Sequence, residues 1–159
     1  MMFKKWVIGF TAYLLLLYYW FEVGMFSYIW DADVSKLSFV ILLMFTIDFV
    51  IFGLILREYD KDGIVLNLEI AKGYDSSVLL EKIGMMGTII GFIVMLSSLK
   101  GVDLNDMKNI SELFSLATKG MSTALFTTFA GLVAGTVIEN LYKRLENKAI
   151  MEGALVKIG

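Results

Sequence analysis

Gly120–Leu145 reads GMSTALFTTFAGLVAGTVIENLYKRL, and from Met121 to Ile138 it runs 18 residues without a formal charge. At 1.5 Å per residue that covers about 27 Å, close to the thickness of a bilayer's hydrocarbon core. The stretch is not built for lipid alone. Ser122, Thr123, Thr127, Thr128 and Thr136 stand among its Ala and Gly. Two helical rows, Gly120–Ala124–Thr128 and Thr127–Gly131–Gly135, carry small residues four apart. Small residues at that spacing let helix backbones approach closely where no water drives association. The hydroxyls either bond back to their own helix or face a polar cavity. The spacing therefore predicts a helix packed inside an assembly.

Gly84–Leu99, GMMGTIIGFIVMLSSL, has the same character: Gly87 and Gly91 form a GxxxG with Thr88 between them. Working outward, the composition agrees. Hydrophobic residues are 58% of the chain and the mean hydropathy is +0.74, against 45–50% apolar in soluble domains. A net charge of −2 excludes a strongly basic nucleic-acid binder. Cys, His and Pro are all absent. No disulfide, thiolate metal site, His-ligated metal or Ser-His-Asp triad is possible, and no nucleophile–base constellation can be assembled. Neither cofactor nor metal is expected, and the chain does not read as an enzyme.

The expected fold is all-α: a polytopic membrane protein with four transmembrane helices and an amphipathic helix before the last. Residues 1–57 form a peripheral hairpin of helices 6–30 and 37–56. Trp6 at one end and Tyr18, Tyr19, Trp20, Tyr28 and Trp30 toward the other suit interfacial aromatic belts. Glu22 falls at the far interface, and Asp31–Lys36 is a polar turn. Asp48 lies near the middle of the second helix, where an ionisable group normally faces protein or a cavity. It joins an ion path or is held by a hydrogen bond from a neighbouring Thr or Tyr. Residues 58–82 read as a short charged cytoplasmic segment. Residues 83–145 hold helices 83–99 and 120–142, joined through an extracytoplasmic amphipathic helix that carries Met107, Ile110, Leu113, Phe114 and Ala117. Glu139 lines an exit or pairs with Lys143, and residues 146–159 are a cytoplasmic tail. Lys and Arg divide ten to four in favour of the side that holds both termini and 58–82, which puts that side in the cytoplasm.

The two glycine-threonine stretches resemble the pore-lining helices of the MotA/TolQ/ExbB proton-channel family. Gly84–Gly91 matches a G-[LM]-[LM]-G-T-x-x-G pattern. Gly120, Ala124, Leu125, Thr128 and Gly131 match G-x-x-x-A-L-x-x-T-x-x-G. The likeness covers about 45 of 159 residues, with both motifs in order. It implies a homo-oligomer, a pentamer, in the bacterial cytoplasmic (inner) membrane. The pentamer would surround a dimer of a single-span MotB/ExbD/TolR-like partner that brings an Asp. The implied activity is a stator-like subunit of an ion-driven motor that turns proton flow into mechanical work. Thr88 and Thr128 would form a polar ring facing that Asp, with Gly84, Gly87, Gly91, Ala124 and Gly131 completing the lining. Asp48 and Glu139 are further ionisable candidates. The chain departs from the family's flagellar stator members in lacking a large cytoplasmic domain between its second and third helices. Lys119 and Val137 also stand where prolines are expected. Those departures motivate a second reading, a non-conducting membrane scaffold with the same helix packing.

Overall fold

The computed structural model of the chain describes residues 2–98, 107–153 and 155–156. Helix α1 (Met2–Glu22) is followed by α2 (Met25–Ala32), α3 (Leu37–Asp62), β1 (Val65–Leu66), α4 (Asn67–Ser98), α5 (Met107–Met151) and β2 (Leu155–Val156). The expected all-α architecture holds. Helices α3, α4 and α5 are each long and apolar enough to cross a membrane, whereas α1 and α2 reach that standard only as a pair bent by 73°. The four expected spans therefore stand as three, or four if the bent pair counts as one.

Several boundaries differ from the sequence expectation. Helix 6–30 breaks at Gly24, whose φ of 76° is left-handed, a conformation open to glycine because it has no Cβ. Helix α3 runs beyond residue 56 until Gly63, also left-handed, caps it and donates its N–H to the Tyr59 carbonyl over 2.9 Å. The charged segment 58–82 is then almost wholly helical: its second part opens α4, which continues through 83–98 without a break. The amphipathic helix is likewise no separate element. Residues 99–106 lie outside the described part, and from Met107 the chain is already α5, 45 residues long. Within it Ile110, Leu113 and Ala117 are half-buried and Phe114 is exposed. No proline or positive-φ glycine interrupts either long helix, so hydrogen bonding propagates through charged and apolar stretches alike.

Contacts between helices set their relative heights. At one level the Trp6 ring covers Gly53, Phe52 meets Tyr142 edge-on at 5.0 Å, and the Tyr142 ring covers Gly73. Trp6 Nε1 also donates to the Phe49 carbonyl over 3.1 Å. At the other end the α2–α3 turn is fastened to α5. The Val34 N–H donates to Thr123 Oγ1 over 2.9 Å, and Thr123 Oγ1 donates to the Ala32 carbonyl over 3.1 Å. From Thr123 to Tyr142 is nineteen residues of α5, about 28 Å. Beyond the Tyr142 level, Val65, Ile70, Leu145 and Ala149 form a buried cluster with Tyr59. There β1 pairs in parallel with β2, so the expected tail folds back onto the α3–α4 turn.

Asp33 organises the outer turn and is fully buried. Its Oδ1 accepts from the Ser35 N–H (2.9 Å), Ser35 Oγ (2.7 Å) and the Lys36 N–H (3.1 Å), and its Oδ2 accepts from the Ser38 N–H (2.9 Å). These bonds satisfy N–H groups that the start of α3 would otherwise leave unpaired. Asp33→Ala removes every one of these acceptors. Unfolding in detergent should show a loss of about 2–3 kcal/mol, with Asp33→Asn less affected. Wild-type stability in Asp33→Ala would contradict the assignment.

Candidate functional site: the seam between α4 and α5

The two motif stretches meet along one seam. An α-helix with small residues every three or four positions presents a flat groove, and here two such grooves face each other. Gly84, Gly87, Gly91, Gly120, Ala124 and Gly131 are all buried. A Cβ added at Gly131 would stand 2.8 Å from the Gly84 Cα and 2.8 Å from the Leu80 carbonyl oxygen. One added at Gly84 would stand 2.9 Å from the Thr127 carbonyl oxygen. At Gly120 it would meet the Gly91 carbonyl oxygen at 2.6 Å. The backbones touch at these points, so the glycines serve the seam inside the chain. Thr123 and Thr127 are fully buried there as well. Thr127 bonds back to the Thr123 carbonyl over 2.7 Å and fills the space above Gly87.

Thr88 and Thr128 sit differently. They are half-buried at the edge of the seam, and their hydroxyls are hydrogen-bonded to each other across it. Thr128 Oγ1 also donates to the Ala124 carbonyl over 2.7 Å, and Thr88 Oγ1 lies 3.4 Å from the Gly84 carbonyl. The structure thus brings the two motif threonines together and separates them from the glycines of the same motifs. Exposed side chains flank the pair: Met85 and Ile89 on α4, Leu125, Phe129 and Leu132 on α5.

The ionisable candidates lie elsewhere. Asp48 is held by a hydrogen bond from Ser76 Oγ over 2.5 Å, on the α3 side of α4. The donor is a serine rather than the expected Thr or Tyr. Asp48 stands about one turn above the Phe52–Tyr142 level, close to the midpoint of α3. Glu139 is exposed on α5 and, among the described residues, makes no ion pair with Lys143. Also among the described residues, no three acidic side chains converge in a way that could hold a metal ion.

Three residues below the threonine pair, Glu81, Tyr74 and Glu146, were missed by sequence reasoning. Glu81 is seven residues before Thr88, two turns along the same face. Its side chain lies over Gly135, seven residues beyond Thr128: a Cβ at Gly135 would meet Glu81 Cγ at 2.6 Å and Oε1 at 3.1 Å. Another two turns inward, Tyr74 Oη donates to Glu146 Oε2 over 2.7 Å. The 74–81–88 spacing was the available signal, hidden by assigning 58–82 to a cytoplasmic segment.

Residues 81–155 match the MotA/TolQ/ExbB proton channel family. The matched segment takes in the seam and the threonine pair. No curated protein and no solved structure matches the chain.

Gly131→Val places branched carbon atoms against the Gly84 backbone. It should lower unfolding stability in detergent by about 1–3 kcal/mol. Gly9→Val on α1, where an added Cβ meets nothing within 4 Å, is the control and should stay within about 0.5 kcal/mol. Equal losses in the two variants would show that the seam is not close-packed.

Proposed function

We propose, from the match of residues 81–155 to the MotA/TolQ/ExbB proton channel family, that the chain is a stator-like subunit of a motor driven by ion flow. The likeness over residues 81–155, with three helices long and apolar enough to cross a membrane, supports a multi-pass membrane channel protein; the motor, its partner and its stoichiometry extend that reading. Several copies, five by the family resemblance, would surround a dimer of single-span helices, each bearing an Asp. Both termini would face the cytoplasm of a bacterial cell, with the assembly in its inner membrane.

One observation carries the reading: the Thr88–Thr128 hydroxyl pair on the open edge of a glycine-packed helix pair. Inside a low-dielectric environment a hydroxyl can donate to a carboxylate, accept from a carboxylic acid, and hold a water between them. It cannot store the charge, so the titrating group comes from the partner. The pair is bonded across the seam yet still half-exposed. A partner carboxylate arriving at this edge would find both hydroxyls within one turn of each other. The exposed Leu125, Phe129 and Leu132 supply the apolar surface on which a neighbouring helix would seat. A charge crossing 100 mV releases about 2.3 kcal/mol, sufficient to bias the partner between protonated and ionised states in each step.

The second reading, a non-conducting scaffold, is favoured by the bond from Thr128 Oγ1 to the Ala124 carbonyl. A hydroxyl engaged with its own helix can serve packing alone.

Thr128→Val keeps side-chain shape and removes the hydroxyl. Proton uptake by proteoliposomes that hold the native complex, purified through a tag on this chain, should fall at least tenfold. Thr88→Val should fall similarly, both with unchanged assembly mass. Wild-type uptake in both variants would refute the motor reading of the pair, and no uptake by the wild-type complex would leave the scaffold.

A further inference from the structure

We propose that Glu81 is an intramembrane acid on the inward side of the threonine pair, taking up the proton that leaves the pair and passing it toward the cytoplasm. This rests on the channel reading above and adds a titrating group supplied by this chain itself.

The first argument is depth. Trp6, Phe52, Gly53, Gly73 and Tyr142 share one level, and Val34 and Thr123 mark another about 28 Å away along α5. That separation is close to the hydrocarbon thickness of a bilayer. Between the two levels α1 and α3 expose Ile8, Leu15, Leu43 and Ile47. On α4, Glu81 is eight residues from Gly73, about 12 Å above the inner level and close to the middle of the slab. A carboxylate at that depth is costly unless it reaches protein partners, water or a proton. Among the described residues Glu81 has no hydrogen-bond or ion-pair partner.

The second argument is direction. Ser76, which bonds Asp48, marks the α3 side of α4. Tyr74, Glu81 and Thr88 follow each other at seven-residue steps along the opposite edge of the seam, away from α3 and its apolar belt. The same edge of α5 offers Thr128, Gly135 and Glu146. The result is a ladder: a hydroxyl pair, then a carboxyl group seated over a glycine, then a phenol bonded to a carboxylate, each rung about 10 Å from the next along α4. Gly135 has the same logic. A Cβ there would crowd Glu81 Cγ at 2.6 Å and the Ser77 carbonyl oxygen at 2.8 Å, so the glycine leaves room for the Glu81 side chain. In the step itself the partner's carboxylic acid gives up its proton at the threonine pair, and water beside the pair carries it as hydronium to the Glu81 carboxylate. Glu81 becomes a neutral acid and then returns the proton to water on the inner side, leaving both carboxylates ionised.

The native complex, purified through a tag on this chain and reconstituted in liposomes holding a pH-sensitive dye, tests this with protons as the probe. Glu81→Gln keeps the shape and cannot titrate; uptake should fall at least tenfold with assembly mass and melting temperature unchanged, whereas a merely structural role would lower assembly or melting temperature, or leave uptake intact. Should Glu81→Gln not assemble, Glu81→Asp carries the test and should conduct at least threefold below wild type. Wild-type uptake in an assembled variant overturns the role of Glu81 and leaves the channel reading standing. A wild-type complex that takes up no protons overturns both.

Discussion

Backbone contact between α4 and α5 is the constraint on which the rest depends. With glycine at positions 84, 91, 120 and 131, the two helices approach until a single added methyl group would collide with main-chain atoms, and at Gly87 it would collide with the Thr127 side chain. Lipid offers no hydrophobic drive for such a contact; dispersion between closely packed surfaces and short polar bonds must supply it. The arrangement is intolerant of side-chain volume, and in return it fixes the register of two long helices. That register sets which side chains meet at the seam edge, and so brings Thr88 to Thr128 and Glu81 to Gly135.

The other helices follow from this pair. Helix α3 lies on one side of the seam and is fastened at both ends, through Thr123 to the Asp33 turn and through Tyr142 to Phe52. Helix α1 packs on α3: its Trp6 and Phe10 rings lie against Phe49, Tyr13 meets Phe45 edge-on, and Tyr13 Oη and Thr46 Oγ1 share a 2.7 Å hydrogen bond. The opposite edge of the seam stays open within a single chain, and there the polar rungs collect. An apolar belt on one side and polar groups on the other is the distribution expected of a subunit whose open edge meets something other than acyl chains.

Much of this was legible in the sequence. The small-residue rows gave the α4–α5 contact, and the two motif threonines were singled out before their hydroxyls were seen to meet. What escaped was register. Charged residues such as Asp75, Glu81 and Lys82 read as a cytoplasmic segment, because hydropathy alone cannot tell that a helix continues through them at the depth of its neighbours' apolar zones. The bend at Gly24 was hidden by the unbroken aromatic run on either side of it. Thr123 Oγ1 bonds the Val34 N–H and the Ala32 carbonyl, 89 and 91 residues away, and no local pattern announces such bonds. The return of Leu155–Val156 to β1 is likewise a non-local pairing of two residues, too short to carry a strand signal.

The central claim is that the open edge bearing Thr88 and Thr128 faces the axis of an assembly. A density map of the complex purified from its native membrane tests it most directly. The account predicts several copies of this chain in a ring, the Thr88–Thr128 edge turned inward, and helical density of another protein on the axis. A ring with that edge against acyl chains, or an axis closed by the chain's own helices, would contradict it.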